Sequence, residues 1–128
     1  MPATLKKIIH IEDEADIQAV ARLALETVGG FALKTCSSGA EGIAAIVDFN
    51  PDLILLDVMM PEMDGPATLL EIRKIPGFEQ TPAIFMTAKI EQQEIDELLQ
   101  HKVVGVVKKP FDPMKLASEI KDIWSDLD

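Results

Sequence analysis

Tyrosine is absent from this 128-residue chain, cysteine and tryptophan occur once each, and aromatic residues make up only 5% of it. The lone Cys36 excludes an internal disulfide and a cysteine-built zinc site. On an apolar, β-branched stretch it reads as a small buried group rather than a redox centre. Positive charge is scarce: 12 basic side chains face 22 acidic ones, a balance of −10. Direct nucleic-acid binding usually needs a basic face, so that class is set aside, and cations or basic partner patches are favoured instead. No apolar run approaches the roughly 18 residues of a membrane-spanning helix. No charged-then-apolar leader opens the chain. Membrane insertion is therefore not expected, and a reducing, cytoplasmic setting is.

What is present suits a compact domain. Hydrophobic residues account for 48% of the chain, and this length fills one core but not two. Residues 1–128 read as a single domain with no output domain attached. Five short aliphatic runs, near residues 7–11, 32–36, 53–56, 83–86 and 105–107, have strand character. They alternate with helical patterns near 14–28, 38–49, 66–74, 91–100 and 114–127. Gly29-Gly30 stops the first helix, Ser38 with Glu41 has capping-box spacing, and Asp112-Pro113 opens the last helix. Strict strand–helix alternation predicts an α/β fold: a doubly wound five-stranded parallel sheet, covered on both faces.

In such a sheet, reactive groups gather at the carboxyl ends of the strands. Asp57 ends the run Leu53-Ile54-Leu55-Leu56 and precedes a Pro- and Gly-marked loop through Gly65. Glu12-Asp13 ends the first run, Thr87 follows the fourth, and Lys109-Pro110-Phe111 ends the last. Singly, each has an ordinary explanation as a helix cap, a satisfied threonine or a surface lysine. Their weight lies in the fact that each terminates a different strand on one edge. Packed carboxylates repel unless a proton or cation intervenes, and Mg²⁺ is the hard, oxygen-seeking ion that works beside phosphate. Asp57 can attack phosphorus to form an acyl phosphate. Lys109 and Thr87 can then meet the other phosphoryl oxygens. His10 and His101 are assigned no catalytic role.

Four segments in order carry a resemblance: Ile11-Glu12-Asp13-Glu14, Leu56-Asp57 through Gly65, Met86-Thr87-Ala88 and Lys109-Pro110-Phe111. Across essentially its whole length the chain resembles the receiver domains of bacterial two-component response regulators, including the stand-alone chemotaxis type. The resemblance implies a (βα)5 flavodoxin-like fold with strand order 2-1-3-4-5. It implies that Asp57 accepts phosphate from a partner's phosphohistidine, and that Asp13, Asp57 and the backbone carbonyl of Met59 ligate Mg²⁺, with Glu12 acting through water. Thr87 and Lys109 would bind the phosphoryl oxygens, Ala88 would leave room for them, and the Lys109–Pro110 bond would be cis. The implied partners are a sensor histidine kinase or histidine phosphotransfer protein and a downstream effector, met as a monomer or weak dimer. Such a protein is a phosphoacceptor switch rather than a conventional enzyme, although it catalyses its own phosphorylation and dephosphorylation.

The apolar residues Ile17, Val20, Ala21, Ala24 and Val28 of the first helix follow core spacing, with Ala19 and Leu23 off that stripe as a candidate docking face. Met59 and Lys89, at the expected pocket mouth, are candidate tuners of phosphate lifetime. Two other readings compete. A pseudo-receiver scaffold is disfavoured by the intact set Asp13, Asp57, Thr87 and Lys109. A phosphatase of the haloacid dehalogenase type would carry a second aspartate two residues after its nucleophile, where this chain has Met59. One departure from the resemblance matters: Val106 stands where receivers commonly carry an aromatic ring that swings inward on phosphorylation. A smaller rearrangement of the fourth helix is expected here. Amide spectra recorded before and after phosphorylation should change mainly in the pocket loops, and a large displacement of the fourth helix would contradict this.

Overall fold

A computed structural model describes residues 4–88 and 91–127. Five parallel strands, β1 (Lys7–Ile11), β2 (Ala32–Cys36), β3 (Leu53–Asp57), β4 (Ala83–Thr87) and β5 (Gly105–Lys108), form one sheet. Their order is β2-β1-β3-β4-β5, as the resemblance implies. Helices α1 (Ala15–Arg22), α2 (Gly39–Phe49), α3 (Gly65–Arg73), α4 (Gln92–Leu99) and α5 (Leu116–Ser125) follow the strands in turn. Every side chain of the central strand β3 is buried, the pattern of a parallel strand covered on both faces. Alternation splits its residues between two cores. Ile54 and Leu56 join Ile46, Leu69, Ile72 and Leu98 beneath α2, α3 and α4. Leu53 and Leu55 join Ala24, Leu25, Leu116 and Ile120 beneath α1 and α5.

The strands β3, β4 and β5 each run one residue beyond their apolar stretch, which draws Asp57, Thr87 and Lys108 into the ladder. Asp57 pairs with Met86, and Thr87 with Lys108. A further bond, from the Lys109 N–H to the Thr87 carbonyl at 2.8 Å, carries the pairing past the end of β5. The three chemical side chains thus sit at consecutive heights on one sheet edge, held by main-chain bonds rather than by loop conformation.

Helix ends follow local chemistry. The Ser38 hydroxyl accepts from the Glu41 N–H at 3.1 Å, as the capping spacing predicts. Asn50 closes α2 in the left-handed region, with φ 52°, a role that asparagine tolerates. Asp112 departs from expectation. Its carboxylate accepts from the Met114 N–H at 2.9 Å and caps a turn over residues 113–115, so α5 begins at Leu116 rather than at Met114.

The first helix also departs from its predicted form. After Arg22 it widens into a π-helical segment, Leu23–Val28, whose end is marked by the Gly29 N–H donating to the Ala24 carbonyl five residues back. The wider turn breaks the α-helical phase. Ala21, Ala24 and Leu25 are buried, while Val20 and Val28, placed in the core by spacing alone, are 39% and 43% exposed. Cys36 is fully buried on β2 as expected, and burial raises its thiol pKa. His10 is fully buried on β1, and neither ring nitrogen has a hydrogen-bond partner among the described residues. It is therefore a packed, neutral ring, with its pKa lowered to about 4 by burial first and by Lys109 and Arg22 next. His101, after α4, meets Phe85 edge-on with ring centroids 6.1 Å apart.

The loop from Asp57 to α3 is pinned by Asp64 and Gly65. The Asp64 carboxylate accepts from the Ala67 N–H at 2.9 Å, and Pro66 occupies the first turn. The Gly65 N–H donates to the Val58 carbonyl at 2.9 Å. A Cβ on residue 65 would lie 2.5 Å from the Asp57 carbonyl oxygen and 2.9 Å from the Val58 Cα. Backbone cannot yield as a flexible side chain does, so Gly65→Ala is expected to cost about 1–3 kcal/mol, read as a lower midpoint in urea unfolding. An unchanged midpoint would show that the loop approaches Asp57 less closely than described.

Candidate functional site

The carboxyl edge of the sheet brings Glu12, Asp13, Asp57, Thr87 and Lys109 together from four chain segments. Register accounts for the first three. Ile11 lies opposite Leu56, so the acids that follow β1 stand beside the acid that ends β3. One carboxylate oxygen from each of Glu12, Asp13 and Asp57 falls within a span of 4.8 Å. Lys109 reaches into this group, its ammonium donating to Asp57 Oδ1 at 2.9 Å and to Glu12 Oε1 at 3.1 Å. Its side chain is only 13% exposed, while those of Glu12 and Asp57 are 0% and 3% exposed. The Lys109–Pro110 peptide is cis.

Three acids and one close cation leave the site electrostatically incomplete. Burial, followed by repulsion from Asp57, raises the Glu12 pKa to about 7, against the opposing pull of Lys109. Burial also raises that of Asp57; hydrogen bonding and attraction from Lys109 oppose it, Asp13 adds to it, and a hydrogen bond from Glu12 opposes it. Burial works against the charge on Lys109, yet its bonds to Asp57 and Glu12 prevail and its pKa is raised. Asp13 Oδ1 is buried and has no hydrogen-bond partner among the described residues. An unsatisfied carboxylate oxygen beside two further acids costs free energy that a cation would recover. Hard oxygen donors at this spacing fit Mg²⁺.

Thr87 is 1% exposed at the end of β4. The Met59 side chain is 66% exposed in the loop after Asp57. It borders a groove of about 500 Å³ that runs from Asp57 and Lys109 along Ile17, Val20 and Phe111. A larger hollow of about 840 Å³, near Arg73, His101 and Lys102, contains none of the strand-terminal acids and bears no relation to this chemistry. Lys89 lies outside the described residues. Val106 is half-buried on β5, opposite Phe85, packed against the core beneath α4. Gly65 was not singled out by sequence reasoning; the Asp-Gly pair marked only a turn, and its contact with the Asp57 backbone exists only in the folded chain.

A doubly wound sheet with buried acids and an inward lysine at its switch point is the architecture of a phosphoacceptor module, and comparison with known proteins agrees. The family profile "Response regulator receiver domain" matches residues 8–121. The chain belongs to that family. It is 36% identical over 115 residues to the probable C4-dicarboxylate response regulator DctR of Priestia megaterium, covering 88% of this chain and 50% of that one. It is 35% identical over 115 residues to the transcriptional regulatory protein ResD of Bacillus subtilis, covering 90% and 46% respectively. The chain thus spans about half the length of the curated relatives it matches. In fold it is similar to the chemotaxis response regulator CheY4 of Vibrio cholerae, with TM-score 0.85 and 24% identity, covering 94% of this chain and 99% of that one. Members of this family bind Mg²⁺ at an acidic pocket and act between sensor kinases and downstream effectors. Among the described residues, no helix is long and apolar enough to cross a membrane.

The raised pKa of Glu12 has a consequence for stability. Its ordinary value is 4.5 and its folded value about 7. Its contribution is therefore complete below about pH 4.5 and is lost as pH rises through about 7. The buried His10 runs the other way, its contribution being lost as pH falls from 6.5 towards 4. Glu12→Gln removes the first effect and keeps the second. In Mg²⁺-free buffer this variant should melt above the unaltered protein at pH 8, with the gap closing towards pH 5. A gap independent of pH would contradict the assignment.

Proposed function

We propose that Asp57 is the phosphoacceptor of this receiver domain, taking a phosphoryl group from a partner's phosphohistidine and thereby switching the binding of an effector or passing the phosphate on. The observation that carries this reading is the buried Asp57 carboxylate held by the Lys109 ammonium at 2.9 Å within a three-acid cluster. Asp13, Asp57 and the Met59 carbonyl would hold Mg²⁺, with Glu12 reaching it through water. When bound, Mg²⁺ neutralises charge on one phosphoryl oxygen.

The chain's own residues do the remaining work. Lys109 holds Asp57 Oδ1 in place and, once a phosphoryl group arrives, offers its ammonium to a phosphoryl oxygen. Attack by the Asp57 carboxylate on phosphorus forms an acyl phosphate while the phosphorus–nitrogen bond to the donor imidazole breaks. Thr87, at the neighbouring strand end, supplies a hydroxyl to a second oxygen. The β3–α3 loop, fixed by Asp64 and Gly65, packs against the backbone at the end of β3, and Lys109 holds the carboxylate itself.

The donor's approach is suggested by the apolar groove beside Asp57. Ile17 and Val20 of α1 line it together with Met59 and Phe111, and Leu23, 55% exposed, extends the apolar surface along the helix. Such a face suits a helical bundle carrying the phosphohistidine, a sensor histidine kinase or a histidine phosphotransfer protein. A cytoplasmic location belongs to the same reading, as does a monomer or weak dimer. The segment 1–128 acts in it as one receiver unit, a switch that promotes its own phosphorylation and dephosphorylation.

The test is direct. Incubated with acetyl phosphate or a phosphorylated histidine phosphotransfer protein in Mg²⁺, the protein should gain one hydroxylamine-labile phosphoryl group. Asp57→Asn should reduce labelling at least a hundredfold and Lys109→Ala should slow it, with chelation of Mg²⁺ abolishing it. Labelling of the asparagine variant at the unaltered rate would overturn the proposal.

A further inference from the structure

We propose that Gln18 is a positioning residue for the cation site, tying the loop that carries Glu12 and Asp13 to the loop after β2. This inference rests on the Mg²⁺ reading of the acidic cluster. Its basis is a break in main-chain bonding. The Glu12 N–H still pairs with the Cys36 carbonyl at 2.9 Å, one step past the Ile11–Cys36 register. The chain then turns into α1, leaving the Glu12 carbonyl to find a partner outside the ladder. Gln18, in the first turns of α1, provides it: its side-chain amide donates both to the Glu12 carbonyl and to the Ser37 hydroxyl, the latter at 3.1 Å.

The restrained peptide link is the one that sets Asp13. Its carbonyl, from Glu12, is the group that Gln18 holds, and its nitrogen leads into Asp13, whose carboxylate Oδ1 is buried with no partner among the described residues. Without the amide, this link could rotate and swing Asp13 away from Glu12 and Asp57. The side-chain type also matters. A lysine or arginine could donate the same bonds, but would add a positive charge next to a site that must attract a cation. A carboxamide gives two donors and no charge. Groups of this kind, one step removed from the ligands, commonly govern metal affinity.

Titration calorimetry of Mg²⁺ into the full, unphosphorylated chain tests this without any turnover. Gln18→Met keeps the length of the side chain and removes both donors. It should weaken Mg²⁺ binding by about tenfold, with Ser37→Ala weakening it less. The Mg²⁺ concentration for half-maximal labelling by acetyl phosphate should rise in parallel, with the maximal rate changing less than twofold. Gln18→Glu is a second, isosteric variant. It turns an acceptor towards the Glu12 carbonyl, so it too should bind Mg²⁺ more weakly than the unaltered chain, despite its extra negative charge. Equal or tighter binding by either folded variant would overturn the inference, as would a lowered melting temperature in chelator with unchanged Mg²⁺ affinity. Failure of the unaltered protein to bind Mg²⁺ would instead overturn the reading of the site itself.

Discussion

The Lys109 ammonium, shared between Asp57 and Glu12 in a nearly dry pocket, is the contact on which the rest of this structure turns. Burying the carboxylates of Glu12 and Asp57 beside that of Asp13 is costly, and one cation offsets only part of that cost. The imbalance shows in Glu12, whose pKa burial and Asp57 raise to about 7, and in the Asp13 oxygen that has no hydrogen-bond partner among the described residues. Such a cluster is poor as a stabilising element and well suited to receiving charge. A divalent ion would complete the neutralisation, and a phosphoryl group would then find positive charge already in place, without the reorganisation that water demands.

The sheet makes that arrangement possible. Parallel strands end together, and their order puts β3 between β1 and β4, so the acids following β1, the acid ending β3 and the threonine ending β4 become neighbours. Main-chain pairing continues past the apolar runs, through Asp57 and Thr87 and on to the N–H of Lys109. Rigid ladders thereby fix the strand ends that carry these side chains, while loops surround them. The first helix and its π-helical end add exposed apolar surface: Val20, Leu23 and Val28 lie outside the core, while Ala24 and Leu25 remain in it.

Val106 stands at the position where the resemblance leads one to expect an aromatic ring. It packs opposite Phe85, so the aromatic ring on this face belongs to β4, fully buried, and not to β5. A small β-branched side chain has few rotamers to exchange, whereas a ring at that position could turn between buried and exposed settings.

The succession of strands and helices and the membership of Asp57, Thr87 and Lys109 in one edge were legible from the chain's own pattern, and the strand order from the family resemblance. Apolar periodicity reports burial, and parallel strands must end on the same side. The Ser38 cap was legible for a similar reason, since it depends on residues three apart. Other features waited for the fold. The phase shift in the first helix, the displacement of Asp112 from helix cap to turn cap, and the absence of hydrogen bonds to the His10 ring among the described residues arise from how elements pack, which no local pattern encodes. The contact of Gly65 with the Asp57 backbone and the reach of Gln18 across two loops are of the same kind. Residue types and their spacing are properties of the chain; the distances that turn acids and a lysine into one site belong to its three-dimensional closure.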